Sequence, residues 1–96
     1  MVRYLCLISL TQQGIADVRH STLRADEFRR SVEDAGGGVL SQYWAIGEVD
    51  GAVVFEVPNE SSAATLLLKL AKQGNTRTRS MRVYDEKEFT EIVKQA

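Results

Sequence analysis

Residues 47–74, Gly-Glu-Val-Asp-Gly-Ala-Val-Val-Phe-Glu-Val-Pro-Asn-Glu-Ser-Ser-Ala-Ala-Thr-Leu-Leu-Leu-Lys-Leu-Ala-Lys-Gln-Gly, decide the fold of this chain. Residues 47–51 predict a hairpin with the Asp-Gly pair at 50–51 as its turn signal, and the apolar run 52–57 predicts a buried strand that ends at a proline. Asn59 is a candidate N-cap for a helix over 60–73, which is rich in alanine and leucine. A turn, a strand and a capped helix therefore follow one another directly.

The same patterns extend outward in both directions. The first strand has apolar residues on both faces, and the first helix has one narrow apolar stripe that ends at three glycines, 36–38. Residues 11–14 are predicted as a loop, and residues 15–22 indicate no more than a short helical turn. The predicted elements are strands over 2–10, 39–46, 52–57 and 76–84, helices over 23–35 and 60–73, and a short polar terminal helix over 86–95.

This order of elements predicts a single domain over residues 1–96. The succession β-α-β-β-α-β is typical of the ferredoxin-like α+β fold, which has one antiparallel sheet. Two helices cover one face of that sheet and leave the other face apolar and bare. Because a large exposed apolar patch normally marks an interface, we expect two sheets to pair face to face in a homodimeric α+β barrel, or in a higher homo-oligomer built from it.

Composition excludes several classes of function. The hydrophobic share of 44% and the charged share of 26% are ordinary for a soluble protein. The net charge is −1 without a block of like charges, so we expect neither a nucleic-acid partner nor a membrane surface. A single cysteine, Cys6, permits no internal disulfide, and no leader-like segment precedes the first strand; both favour a cytoplasmic location.

Five short segments carry a resemblance to a known family. They are Tyr4–Thr11 with Gly14, Glu33–Gly37, Gln42–Gly47, Asp50 with Val53–Pro58, and Gly74–Thr78. In this order they resemble the GYD family, within the wider group of dimeric α+β barrels. Val49 stands where the family has a tyrosine before the aspartate, so no role here can rest on a phenol at that position. The resemblance implies a fold and an oligomer, because the family has no established general activity.

His20 is the weak candidate for a catalytic residue. Histidine titrates near neutral pH and suits proton abstraction from a phenol. Some dimeric α+β barrels oxidise quinol-like substrates or degrade haem, so His20 could act as a general base or as an axial haem ligand. The simpler interpretation is a surface histidine at the start of a helix. It is the only histidine, and the carboxylates have no metal-loop spacing, so we expect no metal site and no cofactor.

The candidate ligand-binding residues are Tyr43, Trp44, Asn75, Arg77 and Arg79. Strict alternation places the rings of Tyr43 and Trp44 on opposite faces of the second strand, and either ring can line a cavity or pack in the core. Arg77 and Arg79 share a face of the last strand, where they can hold a carboxylate or a phosphate or pair with acidic neighbours. The same alternation groups Leu40, Gln42, Trp44 and Ile46 on one face, and Val39, Ser41, Tyr43 and Ala45 on the other.

Three functions remain open from the sequence. The leading prediction is a homodimeric small-molecule-binding domain without an assigned activity. Its apolar ligand, with or without a negative charge, lies between sheet and helices against Tyr43 or Trp44, with Arg77 or Arg79 near its charge. The alternative is an enzyme that resembles the cofactor-independent monooxygenases, in which His20, Trp44 and Asn75 converge on a phenolic substrate. The third is a purely structural dimerisation module with a filled core.

Overall fold

A four-stranded sheet covered on one face by helices forms the body of the protein in a computed structural model of residues 1–96. A 3₁₀ turn over Val18–His20 connects the first two helices. The elements are β1 (Val2–Leu10), α1 (Gln12–Ala16), α2 (Ser21–Asp34), β2 (Gly38–Trp44), β3 (Gly51–Val57), α3 (Glu60–Lys72), β4 (Thr76–Val83) and α4 (Glu86–Gln95).

The strand order is β2-β3-β1-β4, and each neighbouring pair is antiparallel. The two longest crossing helices, α2 and α3, connect β1 to β2 and β3 to β4. This confirms the ferredoxin-like α+β prediction. The glycine stop is also present, because Gly36 has a φ of 91° directly after α2, a backbone conformation that side chains with a Cβ rarely adopt.

The hydrophobic core lies between the sheet and the two long helices. Phe55 is fully buried at its centre, with its ring 5.8 Å from the stacked ring of Tyr4 and 5.4 Å from the edge-on ring of Phe28. Alternation along β3 explains this, since every second residue from Gly51 to Val57 is buried. The buried core residues are Cys6, Phe28, Val32, Val53, Phe55, Val57, Ala63 and Leu66.

Two connections differ from the sequence-based prediction. Residues 12–16, predicted as a loop followed by an unclear segment, form the helix α1, because the Thr11 side chain caps it by accepting the Gly14 N–H at 3.1 Å. The β2–β3 connection covers residues 45–50, whereas the sequence predicts a hairpin over 47–51. The Ala45 N–H donates to the Asp50 carbonyl at 2.9 Å, so Asp50 lies at the end of the loop rather than at its tip.

A β-bulge in β2 changes the predicted faces of that strand. Val39 pairs with Phe55 and Ser41 with Val54, so Leu40 is the extra residue between them. Strict alternation had grouped Val39 with Ser41 and Tyr43. The bulge shifts the phase by one residue, so Val39 shares the helix-covered face with Gln42 and Trp44. Tyr43 and Trp44 remain on opposite faces, as predicted.

The register of β4, which the sequence leaves ambiguous, is fixed by its pairing with β1. Thr76 lies opposite Leu10 and Thr78 opposite Ile8, which places these threonines on the helix-covered face. Arg77 and Arg79 alternate with them and lie on the other face of the sheet. We call that other face the open face; its apolar residues are Leu5, Leu7, Ala52, Val54, Met81 and Val83.

The last helix, α4, stands apart from this two-layer body. It begins with a capping box in which Asp85 and Glu88 bond each other's backbone N–H groups, and it buries none of its residues. The longest dimension of the molecule is 48 Å and the shortest 18 Å, as expected when a helix extends beyond one end of a sheet. None of the helices has the length and apolar character that a membrane span requires.

Candidate functional site

An apolar cavity of about 190 Å³ lies between the helix-covered face of the sheet and the first two helices. Its floor is formed by β-strand residues such as Ile8 and Trp44, and its roof by residues such as Val18 and Ala25. Twelve of its twenty lining residues are hydrophobic. The full lining is Ile8, Leu10, Ile15, Val18, Ser21, Arg24, Ala25, Phe28, Gln42, Tyr43, Trp44, Ala45, Ile46, Asp50, Gly51, Val53, Leu70, Gln73, Asn75 and Thr76.

The mouth of the cavity exposes large apolar side chains. Ile15, Val18 and Trp44 are each more than half exposed, and Ile46 is fully exposed. Single exposed apolar residues are common, but a ring of them around an apolar cavity indicates a surface that a ligand or a partner covers.

A hydrogen-bond network fixes α1 against the start of β4 and so holds one wall of the cavity. The Thr11 N–H donates to the Asn75 carbonyl at 3.0 Å, and the Thr11 hydroxyl donates to the Gly74 carbonyl at 2.6 Å. The Gln13 amide donates to the Asn75 side-chain oxygen at 2.9 Å. Gly14 permits this approach, because a Cβ there would overlap the Asn75 carbonyl.

Asp50 fixes the opposite wall through the end of β1. Its carboxylate accepts the Leu10 N–H at 2.7 Å, and its own N–H donates to the Ile8 carbonyl at 2.8 Å. The Asp50 side chain thus bonds the Leu10 N–H at a point where β3 no longer pairs with β1. The carboxylate of Asp50 also gives the cavity lining one negative group.

Arg24 is the positive group of the lining, but it is already satisfied. Its side chain is only 14% exposed and donates to the Asp17 carboxylate at 2.8 Å, with further bonds to the Asp17 carbonyl and to the Ser21 hydroxyl. The His20 ring and then the Arg24 guanidinium hold the pKa of Asp17 below its ordinary value. The cavity therefore has no uncompensated positive charge.

Thr76 is the one buried polar side chain without a partner. Its hydroxyl oxygen is inaccessible to solvent, makes no hydrogen bond within the protein, and belongs to the cavity lining. Buried polar atoms in folded proteins are almost always paired, and those that are not invite an explanation such as a ligand. Thr76 is therefore the feature of the cavity that most directly indicates a hydrogen-bonding guest.

The structure separates the predicted site residues into two groups. Tyr43, Trp44 and Asn75 belong to the cavity lining. Tyr43 reaches it from the edge of the sheet, because its register opposite Ala52 places it on the open face. His20 does not line the cavity. Its side chain is 57% exposed, and Nδ1 lies 2.5 Å from Asp17 Oδ1, so the three-residue convergence required by the oxygenase hypothesis is not formed.

The two predicted arginines also lie away from the cavity. Arg77 pairs with Ser9 and Arg79 with Leu7 in the β-ladder, so both point to the open face, across the sheet from the cavity. Alternation of side chains along β4 forces this result once Thr76 faces the helices. A charged group on a ligand between sheet and helices would not reach them.

Cys6 offers no reactive thiol to either surface. It is fully buried in β1, and this burial raises the pKa of its thiol above the ordinary value. No three histidine, cysteine, aspartate or glutamate side chains lie close enough together to hold a metal ion.

Sequence reasoning missed Thr76, Arg24 and the pair Ile15 and Val18. The apolar pair was visible as two hydrophobic residues in an otherwise polar stretch, which is a usable sign of a buried or covered surface. Thr76 and Arg24 gave no such sign. An unsatisfied hydroxyl and a neutralised guanidinium are properties of the surroundings, not of the residue type.

Residues 4–93 match the family model of the GYD domain. The match covers nearly the whole chain. The chain belongs to the GYD family. Several residues that carry the GYD resemblance now have structural roles: Asp50 anchors the end of β1, and Gly14 and Asn75 form the contact between α1 and β4.

Comparison with solved structures supports the same fold for this GYD domain. The crystal structure of FFRP-DM1 superimposes with a TM-score of 0.59 at 20% identity, covering 88% of this chain and 100% of that one. At this identity the likeness concerns the fold alone. None of the curated proteins compared with the chain matches it.

Proposed function

We propose that this GYD domain is a homodimeric binding protein for a small, neutral, mainly apolar molecule that carries one hydrogen-bonding group. The observation that supports the proposal best is the buried, unpaired hydroxyl of Thr76, a residue that lines a mainly apolar cavity. Burying a hydroxyl without a partner costs roughly 1–3 kcal/mol, and a guest that bonds it recovers part of this cost.

The cavity volume limits the size of the guest. An apolar cavity of roughly 150 Å³ in another protein accepts benzene, so about 190 Å³ suits one aromatic ring with a small substituent. Aliphatic side chains from floor and roof would enclose the ring, and Trp44 would contact it at the mouth. Because the Thr76 oxygen is inaccessible in the unliganded protein, a hydroxyl or carbonyl on the ring would pair with it after the Thr76 side chain rotates to turn its hydroxyl towards the cavity.

The charges of the lining favour a neutral guest. Arg24 is compensated by Asp17, and the Asp50 carboxylate remains in the wall, so a bound carboxylate or phosphate would meet a negative group and no free positive one. Arg77 and Arg79 lie on the other side of the sheet and would not assist. This proposal therefore keeps the predicted apolar character of the ligand and replaces its optional negative charge with neutrality.

The dimer part of the proposal is supported by the open face. Leu5, Leu7 and Val54 lie side by side on neighbouring strands with no element of the same chain covering them. An antiparallel sheet with one apolar face outside its own core gains stability when a second sheet covers that face. A second copy of the same chain offers an identical apolar face, as a two-fold contact requires.

Ligand binding is tested with three neutral aromatic probes, phenol, para-cresol and indole. Benzoate tests the effect of a negative charge, and cyclohexane tests the effect of removing the hydrogen-bonding group. Trp44 is the single tryptophan and lines the cavity, so its fluorescence reports occupancy directly. We expect the three neutral aromatic probes to change this fluorescence saturably and to raise the melting temperature, because a guest specific for the native state stabilises it. Benzoate should bind more weakly than phenol.

A matched pair of variants locates the site. Ala25→Leu adds bulk to a buried residue of the cavity roof, whereas Ala64→Leu adds the same bulk to an exposed position of α3. We expect the first to abolish the phenol response and the second to preserve it, with circular dichroism as the check on folding. An unchanged response in Ala25→Leu, or benzoate binding tighter than phenol, would contradict the proposed site.

A further inference from the structure

The helix α4 has an apolar face that its own chain does not use. Phe89, Ile92 and Val93 follow one another at helical spacing, and their exposed fractions are 54%, 41% and 56%. Tyr84, just before the helix, is 46% exposed. No residue of α4 is buried, so this face is the largest group of neighbouring exposed apolar side chains at the C-terminal end.

A helix of this length needs packing to persist. Isolated helices shorter than roughly 12–15 residues are marginal in water, and most helical stability in proteins comes from burying an apolar face. The ten residues of α4 have a good cap but no buried contact of their own. The apolar face is therefore free to pack against a surface outside the chain.

The position of α4 indicates where that partner lies. Arg3, on the open face, donates to Glu88 at 2.6 Å and to Glu56 at 2.9 Å, and also lies 3.7 Å from the Asp85 carboxylate. These contacts fix the first turn of α4 beside the open face, at the end of the sheet where β1 begins. Whatever covers the open face therefore lies next to α4.

The apolar residues of the open face are mostly half-buried within their own chain. Leu5, Leu7 and Val54 are each only partly exposed, because neighbouring strands already cover much of their surface. Stable interfaces bury roughly 800 Å² on each partner. The exposed apolar side chains of α4 add to the apolar surface at that end of the sheet.

The charges of α4 argue against a membrane as the occupant. Its polar side carries Glu86, Lys87, Glu91 and Lys94, which mix both signs, whereas interfacial membrane helices are rich in lysine and arginine. A second copy supplies both an apolar sheet face and an apolar helix at once. A two-fold contact also uses each of these twice, so neither copy is left with an uncovered helix.

We infer that α4 packs its Phe89, Ile92 and Val93 side chains against the partner subunit and so forms part of the dimer interface with the open face. The inference rests on the dimer proposed above. It does not depend on the ligand, because α4 contributes no residue to the cavity lining.

Sedimentation equilibrium on the full chain tests this with two variants. The double variant Phe89→Ser with Ile92→Ser removes the apolar face, and Lys87→Ser changes the opposite side of the same helix. We expect a dimeric parent, a dissociation constant weaker by about tenfold or more in the double variant, and no change in Lys87→Ser. Near-ultraviolet circular dichroism checks that the two-layer body still folds.

Amide hydrogen exchange provides the second measurement. Protection of residues 89–95 should rise with protein concentration through the dissociation constant, because packing on the partner adds to the stability that the capping box and Arg3 give the helix. A parent that dimerises while the double variant dimerises equally well would overturn the role of α4 and leave the dimer intact. A parent that is monomeric at every concentration would overturn the role of α4 and the proposed dimer together. Phenol binding is measured in a separate experiment, so the proposed ligand site is judged independently. Binding of α4 to anionic vesicles would also overturn the inference.

Discussion

Replacement of Thr76 by valine is the most informative perturbation of this protein. Valine has nearly the shape of threonine and suits a strand, so the substitution removes the hydroxyl without changing the packing of β4. In the structure that hydroxyl is buried and unpaired, and the residue belongs to the cavity lining. The unliganded protein should therefore become more stable, which is the opposite of the usual effect of a core substitution.

The magnitude follows from the cost of the unpaired group. An unsatisfied buried hydroxyl costs about 1–3 kcal/mol in proteins, so we expect Thr76→Val to raise the free energy of unfolding by about 1–2 kcal/mol. For a domain of this size that corresponds to an increase of about 5–10 °C in melting temperature. Because a hydrogen bond contributes a net of about 0.5–1.5 kcal/mol, phenol should bind about two- to tenfold more weakly to the variant.

The assay combines chemical denaturation with Trp44 fluorescence titrations of phenol and toluene. Thr78→Val is the matched control, since Thr78 lies on the same face of β4, two residues away, but outside the cavity lining. The control should gain no stability, and its preference for phenol over toluene should be that of the parent. Loss of stability in Thr76→Val, or an unchanged ratio of phenol to toluene affinity, would refute the reasoning.

Three further predictions address the supports of the fold and the charges of the site. Gly14→Ala should destabilise the protein by about 2–3 kcal/mol in urea denaturation, because the new Cβ overlaps a backbone carbonyl, whereas Gly38→Ala, which meets no neighbour, should not. The Asp85 backbone N–H, and then Arg3, lower the pKa of Glu88 in the folded state. Glu88 therefore contributes fully to stability at neutral pH. This contribution is lost as the pH falls below about 4.3, the ordinary pKa of glutamate, and through the lower folded-state pKa. The stability difference between the parent and Glu88→Gln should shrink over that range, and a difference that stays constant would count against it. In Asp17→Asn the Arg24 guanidinium loses its carboxylate, so benzoate affinity measured by calorimetry should rise relative to phenol.

The order of elements could be predicted from the sequence because it depends on local patterns. Alternation in residues 52–57, the Asn59 cap and the glycine stop at Gly36 each act within one or two turns of the chain. The Asn59 side chain indeed accepts the Ser62 N–H at 2.8 Å. Once four strands and two long helices stand in this order, few arrangements other than the ferredoxin-like sheet remain.

The short helix α1 and the bulge at Leu40 were not predictable in the same way. The Thr11 cap of α1 acts together with contacts to Gly74 and Asn75, which lie more than sixty residues away. The bulge is defined only by the pairing of β2 with β3. A single extra residue reverses the faces of every residue on one side of it, so alternation alone assigns Val39 to the wrong face.

The sequence by itself determined which residue types alternate, where the two long helices lie in the chain, and that one apolar sheet face would lack cover. The tertiary structure decided what those residues do. It placed Arg77 and Arg79 across the sheet from the cavity, compensated Arg24 with Asp17, and left the Thr76 hydroxyl without a partner. The physical reason is that periodicity is a local property of the backbone. Burial, charge compensation and hydrogen-bond satisfaction depend instead on residues that only folding brings together.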